Sequence, residues 1–544
     1  MNMIYRVIRA KLALVSSLLL VTSACGTSSA RSAGSGPGSG ASSGSGPGAG
    51  QVTLASLTAN NTAACPSSSP LPAQCQAAFT GQTDTRTGVA TPNFDPEAGN
   101  VSTDDIHAYL NNGASTKIFA NLMLGFCVKA GSAYCDNNVT TGYNSNDTNT
   151  VAAQAEDLIR RHIDGAVMTW EGAGTREDSA TLKFQAYVNA NHCSGQSCNP
   201  MYLIMYDGPS MSYNVTSTGV PGTSGASCSG QTGANYENCV IAHIKNDMCY
   251  MNGMHFGNSA YFKVNGSPVV QVFPDEGVIP ANGPAPSWAD VWTWIEQWNN
   301  NLPQNCVVPG AGTQTYSANN GVPLVVFENN GGFSHVDSAG SYDWVHPAGT
   351  DPATDQFVTN IAPVSTAGTL DNFYATAQSY PGKQVWGAGF KGFNSSLAQW
   401  GQDRIMDQSC GQTWMQSLTA SNQFYGNSTL PYLEIDTWND YNEGTEIESG
   451  IDNCYTVSAT VSGQTLSWSL NASSSLASVT TVAHIEIYDS TDGQTASLLA
   501  TQPAALSGTY SLSGLPPGKH SLYVRMVGKN SILNRISSGV SYSH

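Results

Sequence analysis

From Lys117 onward, short apolar runs alternate with longer amphipathic ones, and this alternation constrains the chain more than any other feature. The apolar runs are Ile118–Phe126, Gly165–Trp170, Met201–Asp207, Val269–Phe273, Leu324–Glu328, Tyr342–His346, Gln384–Phe390 and Tyr432–Trp438. Their lengths, their β-branched and aromatic content and their bounding turn residues mark them as strands. Between them Val151–His162, Asp178–Ala190, Tyr236–Met248, Trp288–Asn299, Leu370–Ala377 and Gln412–Ala420 carry helical spacing, with Ser287 a suitable N-cap. Asn329–Gly340 lacks that spacing and is read as mostly loop. Strands alternating with helices build a parallel sheet, and eight strands over residues 117–453 predict an α/β fold of the (β/α)8 TIM-barrel type.

The flanks read differently. Residues 1–25 hold Arg6, Arg9 and Lys11, an apolar core from Leu12 to Val21, and Ser23-Ala24 before Cys25. The apolar run is too short to span a bilayer, so this is an export signal. Ser23-Ala24-Cys25 resembles a bacterial lipobox, which would make Cys25 a lipidation site and the protein a cell-surface or outer-membrane lipoprotein; without the lipid it would be secreted. Residues 26–50 are almost entirely Gly, Ser, Ala and Pro, a flexible tether. Residues 51–116 are expected to form an ordered lead-in packed on the barrel. After Cys454 the pattern turns to short alternating strands at Tyr455–Val461, Thr465–Leu470, Ala483–Asp489, Gly508–Leu512 and His520–Val527. Residues 454–544 are therefore read as a small C-terminal β-sandwich, with Trp468 inside and packing as its main role.

Charged residues make up only 11% of the chain, the net charge is −18, and the isoelectric point is near 4.7. A Lys-poor, acidic surface disfavours nucleic acid and anionic lipid as partners and is compatible with neutral polysaccharide. Leaving Cys25 aside, 12 of the 13 cysteines remain, and nearest-neighbour pairing gives Cys65/Cys75, Cys127/Cys135, Cys193/Cys198, Cys228/Cys239, Cys249/Cys306 and Cys410/Cys454. Export makes disulfides the expected state, although sequence alone leaves the connectivity open. No CxxC or His-rich spacing suggests a metal site, and no GxGxxG or P-loop pattern suggests a cofactor, so neither is expected.

In a barrel the C-terminal strand ends face the active site. Here they carry Trp170 and Glu171, Asp207, Asp275 and Glu276, Glu328, Trp344 and His346, Trp386 and Lys391, then Trp438, Asp440 and Glu443. Carboxylates bind sugar hydroxyls and aromatic faces stack on sugar rings, so these are the candidate substrate-binding residues. Asp440 and Glu443 sit three residues apart in the turn after the last strand, so both can project from one side of it. Paired acids suit glycoside cleavage, in which one carboxyl protonates the leaving oxygen and the other acts as base or nucleophile.

Trp438-Asn439-Asp440-Tyr441-Asn442-Glu443 resembles the WNDYxE segment of glycoside hydrolase family 71, the α-1,3-glucanases, and more loosely the WNE-W-x-E segment of the family 99 endo-α-mannosidases. Lys117–Gly125, Asp157–Trp170 and Tyr261–Val270 also resemble family 71 segments, so the similarity spans roughly 117–452. The family's usual Gly after the Tyr is Asn442 here, and Thr169-Trp170-Glu171 replaces its apolar-Asn ending. The resemblance implies an inverting hydrolase with Asp440 as general base and Glu443 as general acid. The expected protein is thus an exported monomeric hydrolase acting on an α-glucan, cleaving α-1,3 links from within the chain. An endo-α-mannosidase and a non-catalytic glycan-binding lipoprotein are the alternatives.

Overall fold

The computed structural model describes residues 51–53, 101–125, 144–195, 197–207, 234–273, 304–308, 311–316, 319–334, 338–345, 350–351, 356–357, 369–394 and 405–544. Eight parallel strands form its centre: β1 Lys117–Leu122, β2 Gly165–Trp170, β3 Met201–Asp207, β4 Ser267–Phe273, β5 Leu324–Glu328, β6 Gly340–Tyr342, β7 Gln384–Gly389 and β8 Tyr432–Ile435. They pair in chain order, and β8 pairs with β1, so the sheet closes into a barrel. The helices between strands are α1 Thr148–Arg160, α2 Arg176–Asn191, α3 Ala234–Met251, α4 Gly331–Ser334, α5 Thr369–Ala377 and α6 Gln412–Thr419. The fold is a (β/α)8 barrel, as the alternation predicts.

Local chemistry sets the boundaries. Asp147 caps α1 by accepting from Asn149 and Thr150 N–H, and Thr175 caps α2 by accepting from Asp178 N–H. Glu177 and Asp178 then lie in the first turn of α2, where the helix dipole favours acids. The sixth strand departs from expectation. It occupies Gly340–Tyr342, ahead of the expected Tyr342–His346. Gly340 and Ser341 look like turn residues, but at Gly340 a Cβ would come within 2.1 Å of the Gln384 carbonyl oxygen. Close approach of β7 therefore selects glycine in a strand. Between β5 and β6 only the single turn α4 is helical among the described residues, in line with the mostly-loop expectation.

The barrel interior follows strand alternation. Near the N-terminal strand ends Trp386 stacks on Tyr432 at 4.4 Å between ring centroids, with Phe119 and Phe262 against them. These rings plug the base of the barrel. Residues of opposite parity face the helices: Trp170 Nε1 donates to Asp178, and Tyr206 OH donates to Asp247.

The C-terminal region contains β9 Tyr455–Ser462, β10 Thr465–Ala472, β11 Val482–Ser490, β12 Thr495–Pro503, β13 Ser507–Ser511, β14 Lys519–Gly528, β15 Arg535–Ile536 and β16 Val540–Ser543. One antiparallel sheet runs β9-β10-β13 and the other β12-β11-β14-β15, with β16 also on β14. Leu466, Trp468, Ile485, Leu522 and Val524 fill the shared core. Gln51–Thr53 pairs antiparallel with β12, so this first described piece of the lead-in lies on the sandwich rather than the barrel. The sandwich grips the barrel through Asn530, whose Nδ2 donates to the Asp104 and Arg161 carbonyls and whose carbonyl accepts from Trp414 Nε1. Cys410–Cys454 ties the two covalently, and Cys193–Cys198 and Cys249–Cys306 are the other bridges among the described residues. All three are expected pairs. The remaining expected pairs and Cys25 involve residues outside those described.

Candidate active site

Strand β8 delivers an inward column of three side chains. Tyr432 stands at the base with Trp386, and Glu434 lies above it, accepting at Oε2 from Gln271 Nε2 of β4 at 2.6 Å. Asp436 comes next. Its N–H still donates to the Gly389 carbonyl at 2.9 Å, so the β-ladder to β7 continues through it and it shares the inward parity of Glu434. Both carboxyls are fully buried. Burial pushes Glu434 up to about 8, against the opposing effect of the Gln271 and Asn121 donors. Burial also raises Asp436, and the negative fields of Glu434, Asp343 and Glu328 raise it further.

Other strands bring acids to the same place. Tyr342, inward on β6, donates its hydroxyl to the Val272 carbonyl at 3.0 Å. After burial, the causes that raise its phenol are Glu328, Glu434, Asp436 and Asp207. Carboxyls from β3, β5 and β8 thus all act electrostatically on one buried phenol inside the barrel. Phe273 and Trp344 stand at the ends of β4 and after β6, half-buried, with rings 5.1 Å apart. Such a site combines hydroxyl-binding acids with aromatic surface.

The segment after β8 is a tightly hydrogen-bonded loop. Asp440 N–H donates to Thr437 Oγ1, and Asp440 Oδ1 accepts from the N–H groups of Asn442 and Glu443. Gly444, at φ 62°, lets the turn close, and Thr445 N–H returns to the Asp440 carbonyl. Asn439 clamps the loop to the end of β1 by accepting from Met123 N–H and donating to the Met123 carbonyl. Tyr441 OH donates to Glu448. The loop thus holds Asp440 in one orientation at the β8–β1 corner of the barrel, with Asp440 buried and Glu443 half-buried.

Several expected residues stand elsewhere. Trp170, Trp386 and Trp438 have no exposed surface. Trp170 faces the helix layer, Trp386 belongs to the basal plug, and the Arg161 guanidinium covers the Trp438 ring at 4.7 Å. None of these rings has a face open to a sugar, because strand parity and the loop's path turn them into packing. Lys391 is likewise fully buried, its Nζ 2.8 Å from Glu446 Oε1. Burial lowers the Lys391 ammonium and raises the Glu446 carboxyl. Glu171 is half-buried after β2. Asp275, Glu276 and His346 lie outside the described residues. Sequence reasoning passed over Glu434, Asp436, Asp343 and Tyr342. The available signal was two acids at successive inward positions of a strand whose outward positions are Leu433 and Ile435.

No protein-family model matches the chain, and no curated protein matches it. Among solved structures, two of an endo-α-mannosidase of family 99 from Bacteroides thetaiotaomicron are similar at 12% identity, with TM-scores of 0.39 and 0.37. They cover 61% of this chain and 86% and 87% of theirs. A glycoside hydrolase-like protein is similar at 11% identity and TM-score 0.36, over 61% of this chain and 87% of its own. At such identity and superposition these likenesses bear no weight on activity. Among the described residues no group of His, Cys, Asp and Glu is arranged to hold a metal ion, and no helix is long and apolar enough to cross a membrane.

Proposed function

We propose that this chain is a glycoside hydrolase whose site occupies the C-terminal mouth of the barrel. The observation that carries this reading is the joint action of carboxyls from β3, β5 and β8 on Tyr342, beside the Phe273–Trp344 aromatic pair. Hydrolysis of a glycosidic bond needs one protonated and one ionised carboxyl within reach of the same bond. Asp440 and Glu443 are the proposed pair, on the loop that continues Asp436, with Asp440 as base and Glu443 as acid. The half-buried Glu443 keeps contact with solvent, as a group that must regain its proton requires. The substrate proposed is an α-glucan with α-1,3 links, cut within the chain by an exported, monomeric protein, which the acidic, Lys-poor composition and the WNDYxE resemblance support.

The test is incubation of the mature protein with α-1,3-glucan, α-mannan and dextran, with new reducing ends counted. Reducing ends from α-1,3-glucan alone are expected. Release from α-mannan instead would move the substrate to mannosides, and binding without release would make the protein a glycan receptor.

A further inference from the structure

Neither oxygen of the Asp436 carboxyl has a hydrogen-bond partner among the described residues, although the side chain is fully buried. A buried polar group without a partner is costly, and folded proteins retain few of them. The surroundings make this one more costly still. Glu434 lies below it on the same strand, Glu328 reaches from β5, and Asp343 from the end of β6; among the described residues the phenols of Tyr342 and Tyr374 are also titratable groups it acts on. Among the described residues, the charged groups acting on it include no cation. A packing role would be better filled by Leu or Asn. Glu434, one inward position deeper, is by contrast tied to Gln271. The unpaired carboxyl therefore sits one inward position beyond the anchored Glu434, at the C-terminal end of β8.

We propose that Asp436 is a substrate-contacting residue, its carboxyl meeting a hydroxyl of the sugar seated deepest in the barrel mouth. This rests on the glycosidase reading and deepens it by adding a third acid to the site. The missing partner of Asp436 is supplied by the substrate, a hydroxyl-rich ligand that both donates and accepts. Burial, and after it the negative fields of Glu434, Asp343 and Glu328, favour the protonated carboxyl, which can donate to a sugar oxygen while its second oxygen accepts from a neighbouring hydroxyl. The neutral acid also explains why an uncharged ligand suits a site with so many carboxyls.

The test compares wild type with Asp436→Asn and Asp436→Ala. Calorimetric affinity is measured for three probes, α-1,3-linked glucotetraose, α-mannotetraose and isomaltotetraose, alongside the melting temperature. Wild type is expected to bind at least one probe. Asp436→Ala should weaken that binding by at least about tenfold, the worth of one or two hydrogen bonds, with an unchanged or higher melting temperature. Asp436→Asn should weaken it less, because an amide still donates and accepts. If wild type binds one of the probes and both variants bind it equally well, this inference falls while the glycosidase reading stands. If wild type binds none, that reading falls and takes the inference with it. If both variants fail to fold, Asp436 serves the fold, and the inference is overturned.

Discussion

Gln271 Nε2 and Glu434 Oε2 meet at 2.6 Å across the barrel, joining strands β4 and β8 from opposite sides of the closed sheet. The pair places a carboxyl where no solvent reaches and gives it a neutral donor rather than a cation. Burial then outweighs the hydrogen bond, and the carboxyl is raised to about 8.

That shift predicts a pH dependence of stability. The folded Glu434 binds its proton more tightly than the unfolded one, whose ordinary value is 4.5. Its contribution is fully present below about 4.5 and is lost as pH rises through 8. Asp436, raised as well, adds to the same slope. Glu434→Gln cannot ionise and retains an acceptor for Gln271. It should match wild type in melting temperature at pH 5 and exceed it at pH 9, where ionising the buried acid costs wild type several kcal/mol. Equal pH slopes for the two proteins in thermal denaturation would contradict this.

The proposed acid pair has a sharper signature. General acid–base help is worth on the order of 10²–10⁴-fold, so Asp440→Asn and Glu443→Gln should each lose at least that much turnover. Glu443→Gln should recover in part on a dinitrophenyl glycoside, whose leaving group needs no proton, and Asp440→Asn should not. A reversed pattern would exchange the two roles. Because Asp440 Oδ1 also caps the turn, melting curves must accompany the kinetics. Asn preserves an acceptor there, so the loop is expected to hold.

Lys391 and Glu446 form a buried ion pair at 2.8 Å. Removing one partner leaves an uncompensated charge, which typically costs about 3–5 kcal/mol, whereas replacing both with apolar groups is often neutral. Lys391→Met should therefore lower the denaturation midpoint sharply, and adding Glu446→Leu should restore most of it. If the double variant is no better than the single one, the pair does more than compensate charge.

Asn530 ties the sandwich to the barrel through three contacts to buried backbone or indole groups. Asn530→Ala leaves the carbonyls of Asp104 and Arg161 without that donor, a loss of about 2–4 kcal/mol at the usual cost of unmet buried groups. Deleting residues 454–544 should go further and abolish the cooperative melting of the barrel, since Trp414 Nε1 and Cys410 both lose partners. A barrel that melts cooperatively alone would show the sandwich to be a separable module.

The barrel was legible in the sequence because its strands are short and largely apolar and most are separated by stretches of helical spacing, a pattern set locally. Gly165–Trp170, Met201–Asp207 and Leu324–Glu328 stand within the bounds their composition marks. The three observed disulfides follow nearest-neighbour pairing along the chain, although only Cys193–Cys198 closes a short loop, at a sequence separation of 5 against 57 and 44 for the others. Strand β12 escaped notice because its Ser, Thr and Gln residues alternate weakly, and its place is decided by β11 beside it. What only the tertiary structure decided is which residues share a space. Trp170 and Trp438 look like sugar platforms on a strand-end inventory, yet one faces Asp178 and the other lies under Arg161. Glu434 and Asp436 look like ordinary strand polar residues until closure of the sheet sets Gln271 and Glu328 around them. Local sequence determines parity along a strand, but only the closed barrel determines what stands opposite, and burial among like charges is a property of that opposition.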